Sequence, residues 1–171
     1  GHGAWDCKFT LEETRTMLSL WSIFRSPLMI GTDLPQINKD NLNLITNDEI
    51  LAMEKNGKQA ELVCRDDKEI VWKAECKDGG YYVAMFNVSD EEREICTPVS
   101  AVFGCDKCVA KSVRDLWNHC DCTDKALKSG TSSAWTTMST RSVVSNSTAA
   151  DIPVISSTKI QGHSCVVYLV K

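Results

Sequence analysis

The chain has 171 residues and a mass of 19.0 kDa, with 19 basic and 23 acidic side chains and a formal net charge of −4. That length suits one domain or two small ones and is too short for a complete (β/α)8 barrel, which needs ~250 residues. The acidic balance lacks the electrostatic footprint of a nucleic-acid binder or of a polybasic membrane patch. The longest apolar runs, residues 81–86 and 165–170, are six residues each, against the ~20 that a spanning helix requires.

Thr10-Leu-Glu-Glu13 is a capping box, with Thr10 able to cap a helix whose third residue, Glu13, reaches back to the Thr10 amide. Leu11, Met17, Leu18, Leu20, Trp21 and Phe24 follow, an apolar face broad enough for a buried helix. Pro27 ends it. Pro27-Leu-Met-Ile-Gly31 then reads as a short buried strand of the parallel-sheet kind, with Asp33 just past its C-terminal end. Asn38 is a cap for a second helix carrying Leu42, Leu44 and Ile45. Asn47 or Asp48 starts a further turn through Ile50, Leu51 and Met53, which Gly57 stops.

From Gly57 the period changes to two. Residues 61–65, 69–76 and 81–88 read as strands, and Asp78-Gly79-Gly80 joins the last two as a hairpin. Ile70, Trp72, Ala74 and Cys76 form an apolar face, opposed by a mostly polar one, as in a half-buried antiparallel strand. Further short strands are expected around 94–99, 110–117 and 164–170. Several short strands with turn signals suggest a sandwich. Ser and Thr supply 15 of the 31 residues from 129 to 159, read as weakly periodic strand and loop, or alternatively as a linker.

The fold class expected is therefore mostly β: an antiparallel β-sandwich over residues 57–171, preceded by a helix-strand-helix piece over 1–56. That piece is physically awkward alone. A buried parallel strand needs neighbours on both edges, and nothing in the chain supplies them for Leu28–Ile30. Residues 1–56 thus look like the last slice of something larger.

Nine cysteines stand at 7, 64, 76, 96, 105, 108, 120, 122 and 165, an odd number that leaves at least one unpaired within the chain. Cys105, Cys108, Cys120 and Cys122, with His119 as a substitute ligand, have the chemistry of a tetrahedral zinc site, although the second pair has one intervening residue instead of two to four. The alternative is hairpin-end cysteines, bonded in an oxidising compartment and free in a reducing one. Two sequons, Asn87-Val88-Ser89 and Asn146-Ser147-Thr148, would permit glycosylation in a secretory setting. The expectation leans to a secreted or extracytoplasmic location. No charged-then-apolar leader heads the sequence.

The segment from Phe9 through Trp21 and Ser26-Pro-Leu-Met-Ile-Gly-Thr-Asp33 to Leu34 strongly resembles the final helix-strand passage of the barrel in the α-galactosidase (melibiase) family, glycoside hydrolase family 27. Residues 44–53, Leu-Ile-Thr-Asn-Asp-Glu-Ile-Leu-Ala-Met, resemble that family's last barrel helix. Glu69-Ile-Val-Trp72, residues 82–90, residues 113–119 and residues 160–168 resemble strands of its C-terminal sandwich; residues 120–159 depart from it. The resemblance implies 1–56 as the end of a (β/α)8 barrel and 57–171 as the sandwich. It implies an α-galactoside substrate, reached through the rest of the barrel, and no cofactor. It also implies a retaining mechanism with two carboxyl groups ~5–5.5 Å apart, both lying before the matched stretch. No catalytic, substrate-binding or metal-binding residue is therefore carried onto this sequence, and the chain alone is expected to be inactive.

Some residues merit weighing one by one. Asp33 follows the expected barrel strand, where active-site groups collect, but a carboxylate there more often holds a turn. Trp5 and Asp6 pair as sugar-contacting groups do, yet have no visible partners. Trp21 is expected in the core. Trp72 and Trp117 are expected in the sandwich core or on a sugar-stacking face, and Trp135 is expected to be exposed. His119 and His163 lack an identifiable nucleophile and read as loop histidines. Two other readings compete with a hydrolase fragment: a stand-alone carbohydrate-binding module and a cysteine-cluster zinc module.

Overall fold

The computed structural model describes residues 8–131 and 151–171. Helix α1 spans Leu11–Ile23, α2 Lys39–Ile45 and α3 Asp48–Asn56; α4 (Val99–Phe103) and α5 (Thr123–Ala126) are single turns. Strands β1 (Gly57–Arg65), β2 (Glu69–Cys76), β3 (Tyr81–Asn87), β9 (Cys165–Val170), β5 (Val113–Asp115) and β6 (Cys120–Asp121) lie side by side in that order as one sheet. Strands β4 (Cys96–Pro98), β8 (Asp151–Ser156) and β7 (Leu127–Thr131) form the second. Every pairing is antiparallel. Among the described residues no helix is long and apolar enough to cross a membrane.

The helix starts are built as their sequences require. Thr10 Oγ1 accepts from the Glu13 amide at 3.2 Å, and Glu13 returns the bond to the Thr10 amide at 2.7 Å. Asn38 caps α2 through the Asn41 amide at 2.8 Å, and Asn47 caps α3 through the Glu49 and Ile50 amides, both at 3.0 Å. The end of α1 comes earlier than Pro27. Arg25 takes a left-handed conformation, φ 56°, and the Arg25 and Ser26 amides donate to the Ser22 and Trp21 carbonyls at 3.2 and 2.9 Å. That is a Schellman closure with arginine where glycine is usual.

The six-stranded sheet has both faces covered. Val71, Val83, Met85, Val113, Tyr168 and Val170 point toward Ile95, Val99, Val102 and Ile155 of the smaller sheet side. Ala74, Tyr82, Ala84, Phe86, Leu116, Trp117 and Val167 point the other way, toward Leu18, Ile23, Ile50 and Met53 of the helices. The result is three layers: helices, large sheet, small sheet. This explains why residues 82–87 of β3 are buried without alternation and why Val71, on the expected polar face of β2, is fully buried. Lys73 on that same face ends under α4, where its ammonium donates to the Ala101 and Val102 carbonyls at 3.1 and 2.9 Å.

The β2–β3 hairpin turns through Gly79 and Gly80, at φ 92° and 81°. A Cβ at Gly80 would overlap the Val170 carbonyl, so the residue must lack one in both conformation and space.

Three expectations need correction. Residues 27–31 form no strand. They run irregularly, with Met29 84 % exposed and Ile30 46 %. With no parallel strand beside it, the segment gains nothing from extended pairing. Second, α1 buries only part of the expected apolar face. Its buried positions are Thr14, Leu18, Ser19, Ser22 and Ile23, while Leu11, Trp21 and Phe24 are exposed. Leu18 and Ile23 pack on the sheet face of Tyr82, Phe86, Trp117 and Val167, and the small Thr14, Ser19 and Ser22 beside them let the helix lie close to it. Third, the strand expected over 110–117 shrinks to Val113–Asp115. The Asp115 carboxylate accepts from the Trp117 and Asn118 amides, both at 3.0 Å, and turns the chain.

Candidate functional site

The most connected polar cluster joins α3 to the β5–β6 turn. The Glu49 carboxylate accepts from Arg114 Nε at 2.8 Å and Nη2 at 2.5 Å, and lies 2.9 Å from His119 Nδ1. Arg114 also donates to the His119 carbonyl at 3.1 Å. Asn47 Nδ2 donates to the Leu116 carbonyl at 3.1 Å and sits 3.3 Å from His119 Nε2. An amide nitrogen can only donate here, so neutral His119 accepts at Nε2 and carries its proton on Nδ1, toward Glu49. The imidazole is therefore committed to holding α3 against the sheet. It has a carboxylate and an amide as partners and no nucleophile.

The Arg114 guanidinium holds the Glu49 carboxyl below its usual range, with His119 adding to the effect and burial opposing it. A carboxyl lowered in the folded state stabilises fully above its unfolded value, and that contribution disappears as pH falls through the lowered folded value. Glu49→Gln should therefore lower the urea midpoint at neutral pH by a modest amount, since Arg114 is 43 % exposed and the pair is screened. The two proteins should converge in acid below the carboxylate range. A difference that persists unchanged into acid would rule out the ion pair as its cause.

His163 sits in a second clamp. Its Nε2 is 2.8 Å from Asp90 Oδ1, and its carbonyl accepts from Thr16 Oγ1 at 2.8 Å. Ser164 donates to Glu12 of α1. Asn87 lies behind this loop and is 1 % exposed. Its Nδ2 donates to the carbonyls of Glu91, Ile160 and Gln161 at 2.7, 3.0 and 3.1 Å, and its Oδ1 accepts from the Ser89 amide and hydroxyl. Nδ2 is the atom a glycan would take, so the first sequon is closed in the folded chain. Asn146, of the second, lies outside the described residues.

The other sequence candidates separate as follows. Asp33 accepts from the Gln36 side-chain amide at 2.8 Å and opens the single 3-10 turn Leu34–Gln36, a turn role. Trp21, expected in the core, is 37 % exposed. Trp72 is half-buried with its ring edge-on to Phe24, centroids 4.6 Å apart. Trp117 is buried under α1: its Nε1 donates to Ser19 Oγ at 2.9 Å and Arg15 lies over its ring. Trp5, Asp6 and Trp135 lie outside the described residues. The four clustered cysteines do not converge: Cys105 and Cys108 are disulfide-bonded, Cys120 is exposed, and Cys122 donates to the Val113 carbonyl. Among the described residues no group of three or more metal-ligating side chains is assembled.

Residues 66–170 match the family model described as the alpha galactosidase C-terminal beta sandwich domain. The chain belongs to this family. Its sandwich-domain relatives include Alpha-galactosidase 3 of Arabidopsis thaliana, 30 % identical over 120 residues, covering 67 % of this chain and 27 % of that protein. The Alpha-galactosidase of Cyamopsis tetragonoloba is 26 % identical over 162 residues, 94 % of this chain and 33 % of that one. Among solved structures, a GH27 β-L-arabinopyranosidase of Geobacillus stearothermophilus in complex with arabinose superposes with a TM-score of 0.75 at 27 % identity, over 100 % of this chain and 33 % of its own. Alpha-galactosidase I of Mortierella vinacea shares the fold, with a TM-score of 0.73 at 15 % identity over 95 % of this chain and 36 % of its own. The chain thus spans roughly a quarter to a third of the length of these two curated relatives. Within it, the polar side chains that sequence reading missed, Asn47, Glu49, Asn87 and Arg114, are joints between elements. Asn47, as a helix cap, and Asn87, as a sequon, had sequence signals, and neither signal pointed to a joint.

Proposed function

We propose that the chain is the C-terminal part of an α-galactosidase-like glycoside hydrolase. In this reading residues 1–56 are the closing slice of a (β/α)8 barrel, residues 57–171 are the sandwich that supports it, and the substrate is a terminal α-galactoside. Hydrolysis with retention needs two carboxyl groups, one as nucleophile and one as acid then base. In this reading both come from the longer parent, before the matched stretch, and the chain alone is inactive.

One observation carries the reading. Among the described residues, eight of the eleven exposed large hydrophobics, Phe9, Leu11, Trp21, Phe24, Met29, Ile30, Leu34 and Leu42, fall within the first 42 positions. A soluble surface seldom gathers so many apolar side chains unless something covers them. Parallel strands on either side of Leu28–Ile30, and neighbouring barrel helices along α1, are the cover this reading supplies. Among the described residues the sandwich tryptophans do not favour a stand-alone sugar-binding module, since Trp117 is buried and Trp72 packs edge-on to Phe24.

The test is hydrolysis of an aryl α-galactoside. The purified 171-residue chain should show no turnover above buffer, and the longer parent polypeptide should turn it over. Activity in the chain alone would overturn the assignment of the carboxylates to the parent's earlier part. A parent inactive on every α-galactoside would overturn the substrate class.

A further inference from the structure

Cys105 and Cys108 are joined by a disulfide across a sequence separation of three. The bond lies in the loop that leaves α4 at Gly104 and runs to β5, and it connects no two elements. Both ends of the loop are held without it. The Gly104 and Cys105 amides donate to the Ser100 carbonyl at 2.8 and 3.3 Å, and the Lys111 and Ser112 amides donate to the Lys171 carbonyl at 2.5 and 3.0 Å. Upstream, α4 is fixed by the Lys73 ammonium on its last carbonyls and by Phe103 edge-on to Tyr81, centroids 5.2 Å apart. A disulfide stabilises more as the loop it closes lengthens, so a loop this short contributes little.

The pair is also reachable. Both cysteines are half-exposed, Asp106 and Lys107 between them are exposed, and Val109 beyond is 68 % exposed. Three other sulfurs are placed differently. Cys64 and Cys165 are buried and Cys122 is half-buried, and burial pushes each thiol up to about 11. At neutral pH these remain protonated and are poor partners for exchange.

We propose that Cys105–Cys108 is a reversible redox site: a small dithiol reduces it, and its cyclic disulfide restores it, while the fold stays intact. The inference stands without the hydrolase reading. In reduction, a thiolate of the dithiol attacks one of the two sulfurs, the S–S bond breaks, and the departing cysteine sulfur takes a proton. The second thiolate of the reductant then displaces the sulfur still held in the mixed disulfide. The protein gains two electrons and two protons as Cys105 and Cys108 thiols, and the reductant leaves as its cyclic disulfide.

Differential alkylation with peptide mapping on the purified chain, followed alongside by circular dichroism, tests this. Without reductant, Cys105 and Cys108 should stay unlabelled. In millimolar dithiothreitol at neutral pH, and without denaturant, both should label together. The β signal should be unchanged and the thermal midpoint should fall by less than about 10 °C. Transfer to oxidised dithiothreitol should return both to the unlabelled state. Labelling of either cysteine before reduction would overturn the proposal, as would a mapped bond from either to Cys120. Resistance to reductant until denaturant is added would overturn it too. A larger thermal loss, or collapse of the β signal on reduction, would make the bond structural and have the same consequence.

Discussion

Asn87→Asp is expected to destabilise the chain by about 3–5 kcal/mol, the scale for an uncompensated buried charge. Asn87 lies at the end of β3 with its Nδ2 facing the carbonyls of Glu91, Ile160 and Gln161. An ionised carboxylate has no proton to give, so an oxygen would face three oxygens in a buried place. Its other oxygen would still accept from Ser89, as Oδ1 does now. The substitution therefore isolates the donor side of the amide. These three bonds tie the 87–91 turn to the 160–161 loop, which the Arg93–Ile160 bridge also joins. Their loss should loosen the β3–β9 end of the sheet first. Urea denaturation by circular dichroism gives the magnitude, and hydrogen exchange at the Ser89 and Arg93 amides locates it. A loss under ~1 kcal/mol, the scale of one ordinary hydrogen bond, would show that the amide network is not what holds this corner.

Local signals in the sequence were legible wherever a residue acts on its own neighbours. The Thr10–Glu13 box, the Asn38 and Asn47 caps and the Asp78-Gly79-Gly80 turn are all contacts within four residues, and each forms as its residue types require. Strand β2 was readable from its alternation. What alternation cannot reveal is a second covered face: Val71 and Lys73 looked solvent-directed because the sequence does not show that α4 and the small sheet lie over them. The helical period likewise identified α1 but not which side of it faces this chain. Leu11, Trp21 and Phe24 are exposed, and the side against the sheet carries Leu18 and Ile23 together with Thr14, Ser19 and Ser22.

The site was less legible than the fold, for a related reason. Glu49 and Arg114 meet across 65 positions, Asn87 and Ile160 across 73, and Trp117 and Ser19 across 98. No spacing rule reaches so far, so Asn87 read as a sequon and His119 as a loose loop residue or a metal ligand. The cysteine cluster failed as a ligand set because hairpin geometry separates what sequence brings close. Cys120 opens β6 and Cys122 follows its end, and Cys105 and Cys108 are spent on each other. Conversely, the resemblance over residues 9–53 pointed outward, to structure beyond this chain, which no spacing within it can describe.

Trp117→Ala should cost about 3–5 kcal/mol, as removal of a buried tryptophan usually does. Trp117 is 9 % exposed, at the corner where the β5–β6 turn, β9 and α1 meet. Its ring lies under Arg15, 5.5 Å from the guanidinium carbon, and its indole N–H donates to Ser19, which also accepts from Cys165 Sγ at 3.1 Å. Truncation opens a cavity beside Ser19, whose small side chain does little to fill it. Trp117→Phe separates the contributions. It keeps most of the packing and the ring beneath Arg15 but loses the indole donor, so it should cost only about 1–2 kcal/mol. Equal losses in the two variants would mean that the Ser19 hydrogen bond, not packing, holds the corner. A loss below ~1 kcal/mol in Trp117→Ala would mean that α1 is not docked on the sheet in solution. Hydrogen exchange across α1 discriminates further: if Trp117 holds the helix down, α1 amides should lose protection in Trp117→Ala while β2 and β3 keep theirs. That outcome would make Trp117 a principal tie between the helical layer and the sandwich, beside the Thr16–His163 and Asn47–Leu116 bonds.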